Sequence, residues 1–197
     1  MTPAVIDLYH GDSVASLGIA QAAGLAGVIH KASQGIGMID PSYAQRRIQA
    51  RDAGLLWGAY HFGSNEDPIT QAKHFLDCAT PDKNTLVALD YEPSGNSTMT
   101  LEQARTFLTE IDTQLGRKAV LYSGSLIKET LPGPDEFFGS HRLWLAEYGP
   151  EAKLPAAWNK YWLWQYTDEG HVSGIFGSVD CNRYDDSVSQ LAAEWAA

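Results

Sequence analysis

Basic residues are in short supply in this 197-residue chain, where 14 Lys and Arg stand against 24 Asp and Glu for a formal net charge of −10. That balance repels a phosphate backbone and excludes nucleic acid as the main partner. It also gives no general attraction to an anionic membrane surface. No apolar run is long enough to span a bilayer. The opening stretch Met1-Thr2-Pro3-Ala4-Val5-Ile6-Asp7 has no basic segment followed by an apolar one, so no secretory leader is read there. The expectation is a chain made in the cytoplasm that reaches its site of action by release or delivery. Cysteine is scarce: Cys78 and Cys181 have no metal-ligand spacing and read as two buried thiols, not a disulfide. No Gly-rich phosphate loop follows the first strand, which disfavours a doubly wound dinucleotide fold. Internal repeats and low-complexity tracts are also missing.

What is present is a length suited to one domain with a substantial core, and a hydrophobic fraction of 44% that is ordinary for a globular protein. The organising stretch is Leu86-Val87-Ala88-Leu89-Asp90-Tyr91-Glu92. It reads as a buried parallel strand running into a loop at Pro93-Ser94-Gly95. Apolar strands around Val5, Val28, Leu55–Phe62 and Val120 alternate with amphipathic helices. Ser13 is read as the cap of a helix over 14–23 and Asp40-Pro41 as the start of a second. Asp67-Pro68 starts a third, and Thr100-x-x-Gln103 forms a capping box for a fourth. After Tyr122 the rhythm changes. A loop-rich stretch holding Pro132-Gly133-Pro134 leads to strands at 143–148, 161–166 and 178–182. Asp185 is read as the cap of a last helix, with Val188, Leu191, Ala192 and Trp195 inward. Five strand–helix units followed by three closely spaced strands predict an α/β fold, an irregular TIM-like (β/α)5(β)3 barrel in one domain.

Carboxylates recur at strand ends. Asp7 ends the first strand, Asp90 and Glu92 the fourth, and Asp180 lies on the eighth. Residues i and i+2 of a strand share a face, so Asp90 and Glu92 project together. Closing the barrel brings all four acids to one mouth. Clustered like charges cost stability, so the pattern points to chemistry. Tyr60, Phe62, Tyr91, Tyr122, Trp144, Tyr148, Trp164 and Tyr166 gather at the same end. About half are expected in the core and the rest as platforms for sugar rings. Gln165 and Asn182 are candidate hydrogen-bond partners for hydroxyl or acetamido groups.

Several strings resemble glycoside hydrolase family 25, the Chalaropsis-type lysozymes or N-acetylmuramidases. They are Val5-Ile6-Asp7; Lys31-Ala32-Ser33-Gln34-Gly35 with Asp40-Pro41; Gly58-Ala59-Tyr60-His61-Phe62; Leu89-Asp90-Tyr91-Glu92; Leu143-Trp144-Leu145-Ala146-Glu147-Tyr148; Trp164-Gln165-Tyr166-Thr167; and Val179-Asp180-Cys181-Asn182. The chain has Ser33-Gln34-Gly35 where the family often carries Thr-Glu-Gly, and it departs from the common form over Leu8–Asp12. The resemblance implies a barrel of eight strands and five helices. It implies cleavage of the β-1,4 bond between N-acetylmuramic acid and N-acetylglucosamine in peptidoglycan, with no cofactor or metal. Glu92 would be the general acid, and Asp90 would stabilise the cation or orient the 2-acetamido group. Asp7 and Asp180 would give electrostatic support, and Tyr60, Phe62, Tyr122, Trp144, Tyr148, Gln165 and Asn182 would bind substrate. A monomer is expected, with all of 1–197 used by the catalytic domain and no separate wall-binding domain, and the missing leader and single domain fit a phage endolysin or a delivered effector. Two alternatives are a non-catalytic glycan-binding protein and a metal-dependent barrel hydrolase using His10, His61 and Asp180.

Overall fold

Val5, Ile29, Leu86, Ala88 and Val120 share one buried cluster, while their chain neighbours Ile6, Val28, Val87, Leu89 and Leu121 share another. Successive strand residues face opposite sides, so one sheet is buried on both faces, as a parallel barrel wrapped by helices requires. The structure, a computed structural model, describes residues 3–197; Met1 and Thr2, where the leader reading begins, lie outside the described residues. In chain order the elements are β1 (Val5–Leu8), β2 (Ser13–Val14), α1 (Leu17–Ala22), β3 (Gly27–Gln34), β4 (Met38–Ile39), α2 (Tyr43–Asp52), β5 (Leu56–Phe62), α3 (Pro68–Ala79) and β6 (Leu86–Asp90). Then come α4 (Leu101–Leu115), β7 (Val120–Ser123), α5 (Ser125–Thr130), α6 (Glu136–Gly139), β8 (Leu143–Ala146), β9 (Leu163–Gly170), β10 (Ile175–Phe176), β11 (Val179–Arg183) and α7 (Val188–Glu194).

Eight strands close a ring in the order β1-β3-β5-β6-β7-β8-β9-β11, and β11 returns to β1. All neighbours are parallel except β11, which runs antiparallel to both β9 and β1. Closure excludes the open doubly wound sheet. The expected (β/α)5(β)3 plan is present, with the short helices α5 and α6 flanking the Pro132-Gly133-Pro134 loop.

Local chemistry sets the helix starts, and three differ from expectation. Asp67 caps α3, its carboxylate accepting the Thr70 N–H at 2.8 Å, and Thr100 and Gln103 form the capping box of α4. Ser16, not Ser13, caps α1, because Ser13 is drawn into β2 opposite Phe176. Asp40 does not cap α2, which starts at Tyr43 behind Ser42; its carboxylate accepts the backbone N–H of His10 at 2.8 Å and of Ser42 at 2.9 Å. Ser187 replaces Asp185 as the cap of α7, and Val188 and Ala192 face solvent. Cys78 and Cys181 are free thiols, but Cys78 is only half-buried on α3.

The barrel floor is closed by α7. Leu191 and Trp195 join the interior cluster. The Trp195 indole N–H donates to the Trp57 carbonyl at 2.8 Å and its ring lies 6.0 Å from that of Trp162. Arg117 and Arg142 hold the backbone carbonyls of Glu194 through Ala197. Trp195→Ala is expected to destabilise the protein by about 3–5 kcal/mol, read as a lower urea midpoint in equilibrium unfolding.

Candidate active site

The same alternation that builds the core carries the acids inward. Asp7 follows Val5 on the interior face of β1, and Asp90 follows Leu86 and Ala88 on β6. Beyond β6 the Tyr91 N–H still donates to the Tyr122 carbonyl at 2.9 Å. The backbone therefore stays extended for one more step. Tyr91 turns outward into the core, with its hydroxyl on Thr130, and Glu92 turns inward. On β11, Asp180 stands directly opposite Asp7. The four carboxylates meet in a cavity of about 230 Å³ at the C-terminal ends of the strands, walled by Lys31, Tyr60, Phe62, Tyr122 and Trp144, with Tyr9 at its edge.

Each acid is held differently. Asp7 receives the Gln165 amide N–H on both oxygens at 3.1 Å, and the Asn182 amide at 2.8 Å. Those amides cannot turn round. The Trp144 indole N–H donates to Asn182 Oδ1 at 2.6 Å, and the Tyr122 and Tyr148 hydroxyls donate to Gln165 Oε1 at 2.8 and 3.1 Å. Burial, then the facing charge of Asp180, still pushes Asp7 well above the usual carboxylate range. Asp180 is pushed up to about 6, chiefly by burial. Burial also raises Glu92, against a lowering by the Tyr122 hydroxyl, and Asp180 adds to the rise. Asp90 is raised well above its ordinary value by burial and then by Glu92, while Lys31 pulls it down. One oxygen of Asp90, Oδ1, is buried with no hydrogen-bond partner among the described residues. A buried acceptor left alone is costly and calls for an explanation.

Of the residues read from sequence, Asp7, Asp90, Glu92, Asp180, Tyr60, Phe62, Tyr122 and Trp144 line the one cavity. Trp144 is buried and turns its indole N–H to Asn182. Gln165 and Asn182 are buried, with their amides directed at Asp7. Tyr148 stands at an adjoining cavity, and Trp164 and Tyr166 face the outside of the barrel. Tyr9 and Lys31 were not singled out. Lys31 sits one strand-step above Ile29, its ammonium 4.7 Å from the centroid of the Phe62 ring and donating to Gln34 Oε1 at 2.6 Å. A lysine two residues after Ile29, in phase with the inward-facing apolar residue of the strand, is the signal that marks it. His10 and His61 do not converge with Asp180. His61 is fully buried between Ser33 Oγ at 2.9 Å and Gln71 Oε1 at 3.2 Å, and burial lowers it to about 3. His10 turns to Asp40, and among the described residues no three His, Cys, Asp or Glu side chains are grouped to hold a metal ion.

A carboxyl raised on folding stabilises the folded state at low pH and loses that contribution as pH rises through its folded value. Asp180→Asn is therefore expected to melt above the wild type near pH ~8, with the gap narrowing as pH falls through about 6 and the folded Asp180 takes up its proton. Thermal melts across that range read it.

The comparisons with known proteins agree with this fold. The bacterial lysozyme of Streptomyces coelicolor superposes with a TM-score of 0.88 at 26% identity, over 97% of this chain and 95% of that one. Lysozyme M1 of Streptomyces globisporus is 26% identical over 204 residues, 95% of this chain and 69% of its own length. The uncharacterized protein YegX of Escherichia coli strain K12 is 31% identical over 169 residues, 83% of this chain and 60% of that protein. The chain thus spans about three fifths of the length of YegX. The sequence profile of glycosyl hydrolases family 25 matches residues 6–175. With the profile running from β1 to β10 through three of the four cavity acids, Asp7, Asp90 and Glu92, this chain belongs to glycosyl hydrolases family 25.

Proposed function

We propose that this chain is an N-acetylmuramidase that hydrolyses the β-1,4 bond between N-acetylmuramic acid and N-acetylglucosamine in peptidoglycan. The observation that carries the reading is the Asp90–Glu92 pair, two inward carboxylates in one small cavity, with an Asp90 oxygen that no group among the described residues satisfies. Glycoside hydrolysis needs a proton donor at the leaving oxygen and an anion near the developing oxocarbenium centre.

Glu92 is the donor. It lines the cavity, is half-buried, and its affinity for a proton is raised. Asp90 is the anion. In the free protein burial favours a proton on Asp90 as well. A substrate 2-acetamido N–H donated to the unpartnered oxygen reverses that, because a hydrogen bond to the charged form lowers a carboxyl's pKa. Ionised Asp90 then turns the acetamido carbonyl towards C1 and offsets the positive charge forming there. Lys31 supports the anion through its own charge. Asp7, fixed by Gln165 and Asn182, and Asp180 shape the field and hold water for the second step. Tyr60, Phe62 and Tyr122 form the cavity wall against the sugar ring. All of these groups come from one chain, so a single copy suffices, acting on the wall after release or delivery.

Glu92→Gln is expected to cut kcat by about 10²–10⁴-fold, measured as reducing-end release from purified peptidoglycan. Mass spectrometry of the wild-type fragments should show reducing N-acetylmuramic acid at their ends. Binding without release by the wild type would overturn the enzyme reading. The alkaline limb of kcat/KM tracks loss of the Glu92 proton and is expected above the ordinary glutamate range. Since Asp180 raises Glu92, Asp180→Asn should move that limb to lower pH.

A further inference from the structure

Glu92 borders two cavities, and it is the one residue they share. One is the carboxylate cavity. The other, about 350 Å³, lies over α5 and the end of β8 and is lined by Ser125, Lys128, Glu147 and Tyr148 around the close approach of Gly124 to Ala146. A Cβ on Gly124 would stand 2.7 Å from the Ala146 carbonyl oxygen, so only glycine lets these two strand ends meet and keep the cavity open. Lys128 and Glu147 form a half-buried ion pair at its wall. The Tyr148 ring is half-exposed there, with its hydroxyl donated to Gln165 at 3.1 Å.

A general acid must touch the bridging oxygen, which lies between the sugar that becomes the cation and the sugar that leaves. The cation belongs with the carboxylates, on one side of Glu92. The leaving sugar therefore belongs on the other. We infer that the Lys128–Glu147 cavity is the leaving-group pocket and that its charge pairing selects an uncharged sugar there; this rests on the proposed muramidase reading. Tyr148 offers a flat apolar face to the ring. Lys128 supplies N–H donors and Glu147 acceptors to sugar hydroxyls. Among the described residues Lys128 is the only cation lining the pocket, and Glu147 already neutralises it. A sugar carrying a lactyl carboxylate would meet Glu147 with no free cation to offset it, at the cost of burying an unpaired charge. Peptidoglycan alternates a neutral and an acidic sugar. A pocket that accepts only the neutral one on the leaving side fixes which of the two alternating bonds is cut.

The test uses the full chain and a peptide-free glycan of alternating N-acetylglucosamine and N-acetylmuramic acid. Reducing-end kinetics and fragment mass spectrometry are run on the wild type, Lys128→Met, Lys128→Arg and Glu147→Gln. Lys128→Met is expected to raise KM about tenfold, the loss of one charged hydrogen bond, with partial rescue in Lys128→Arg. Glu147→Gln frees the Lys128 ammonium for a lactyl carboxylate and is expected to raise severalfold the share of fragments ending in reducing N-acetylglucosamine. Wild-type melting profiles in all variants confirm that the fold persists. An inactive wild type sinks the muramidase reading itself. An active wild type whose variants keep both KM and the product pattern overturns the pocket assignment. A raised KM with an unchanged product pattern in Glu147→Gln overturns charge pairing as the selector.

Discussion

The antiparallel return of β11 against β1 is the constraint on which the rest depends. It closes the barrel, and its register sets Asp7 across from Asp180. Like charges directly opposite each other on neighbouring strands are destabilising. The fold answers with two buried amides on Asp7, and each amide is fixed in turn by an aromatic donor, Trp144 for Asn182 and the tyrosines 122 and 148 for Gln165. The aromatic-rich ends of β7, β8 and β9 are thus accounted for by an acid on β1. Remove the facing pair and the buried Gln165 and Asn182 lose their reason for being polar.

Much of this was legible in the residues. The acids at strand ends were visible because period-two alternation is a strong signal in short apolar runs, and Asp90 and Glu92 keep their phase across the strand end. The strand–helix count came from caps such as Asp67 and Thr100, whose geometry is local. What was not legible is tertiary. Asp40 has the look of a helix cap and is instead taken by the loop after β1, where His10 supplies two donors. Gln165 and Asn182 look like free polar groups for a ligand. Only the closed ring shows that Asp7 is within their reach. His61 sits in a strand whose neighbours line the cavity, yet one residue of phase sends it to the outer layer with Ser33 and Gln71.

Glu92 gains a second meaning from the helix-poor third of the barrel. Where β7 and β8 are joined by short helices and not one long one, their C-terminal ends approach closely at Gly124 and Ala146. The space left above them, with Lys128 and Glu147, is what gives the acid a second cavity to border. Loss of regular covering structure and gain of a binding surface are here the same event.

The floor of the barrel has a consequence for architecture. Trp195 seals the N-terminal ends of the strands, and Arg117 and Arg142 grip the last backbone carbonyls on that side. Any polypeptide joined after Ala197 would leave from the face opposite the cleft. A tethered partner domain would have to wrap some half-circumference of the barrel before reaching the glycan held at the mouth, so linker length, more than linker sequence, would govern whether anchoring and cleavage occur on the same strand or on neighbouring ones.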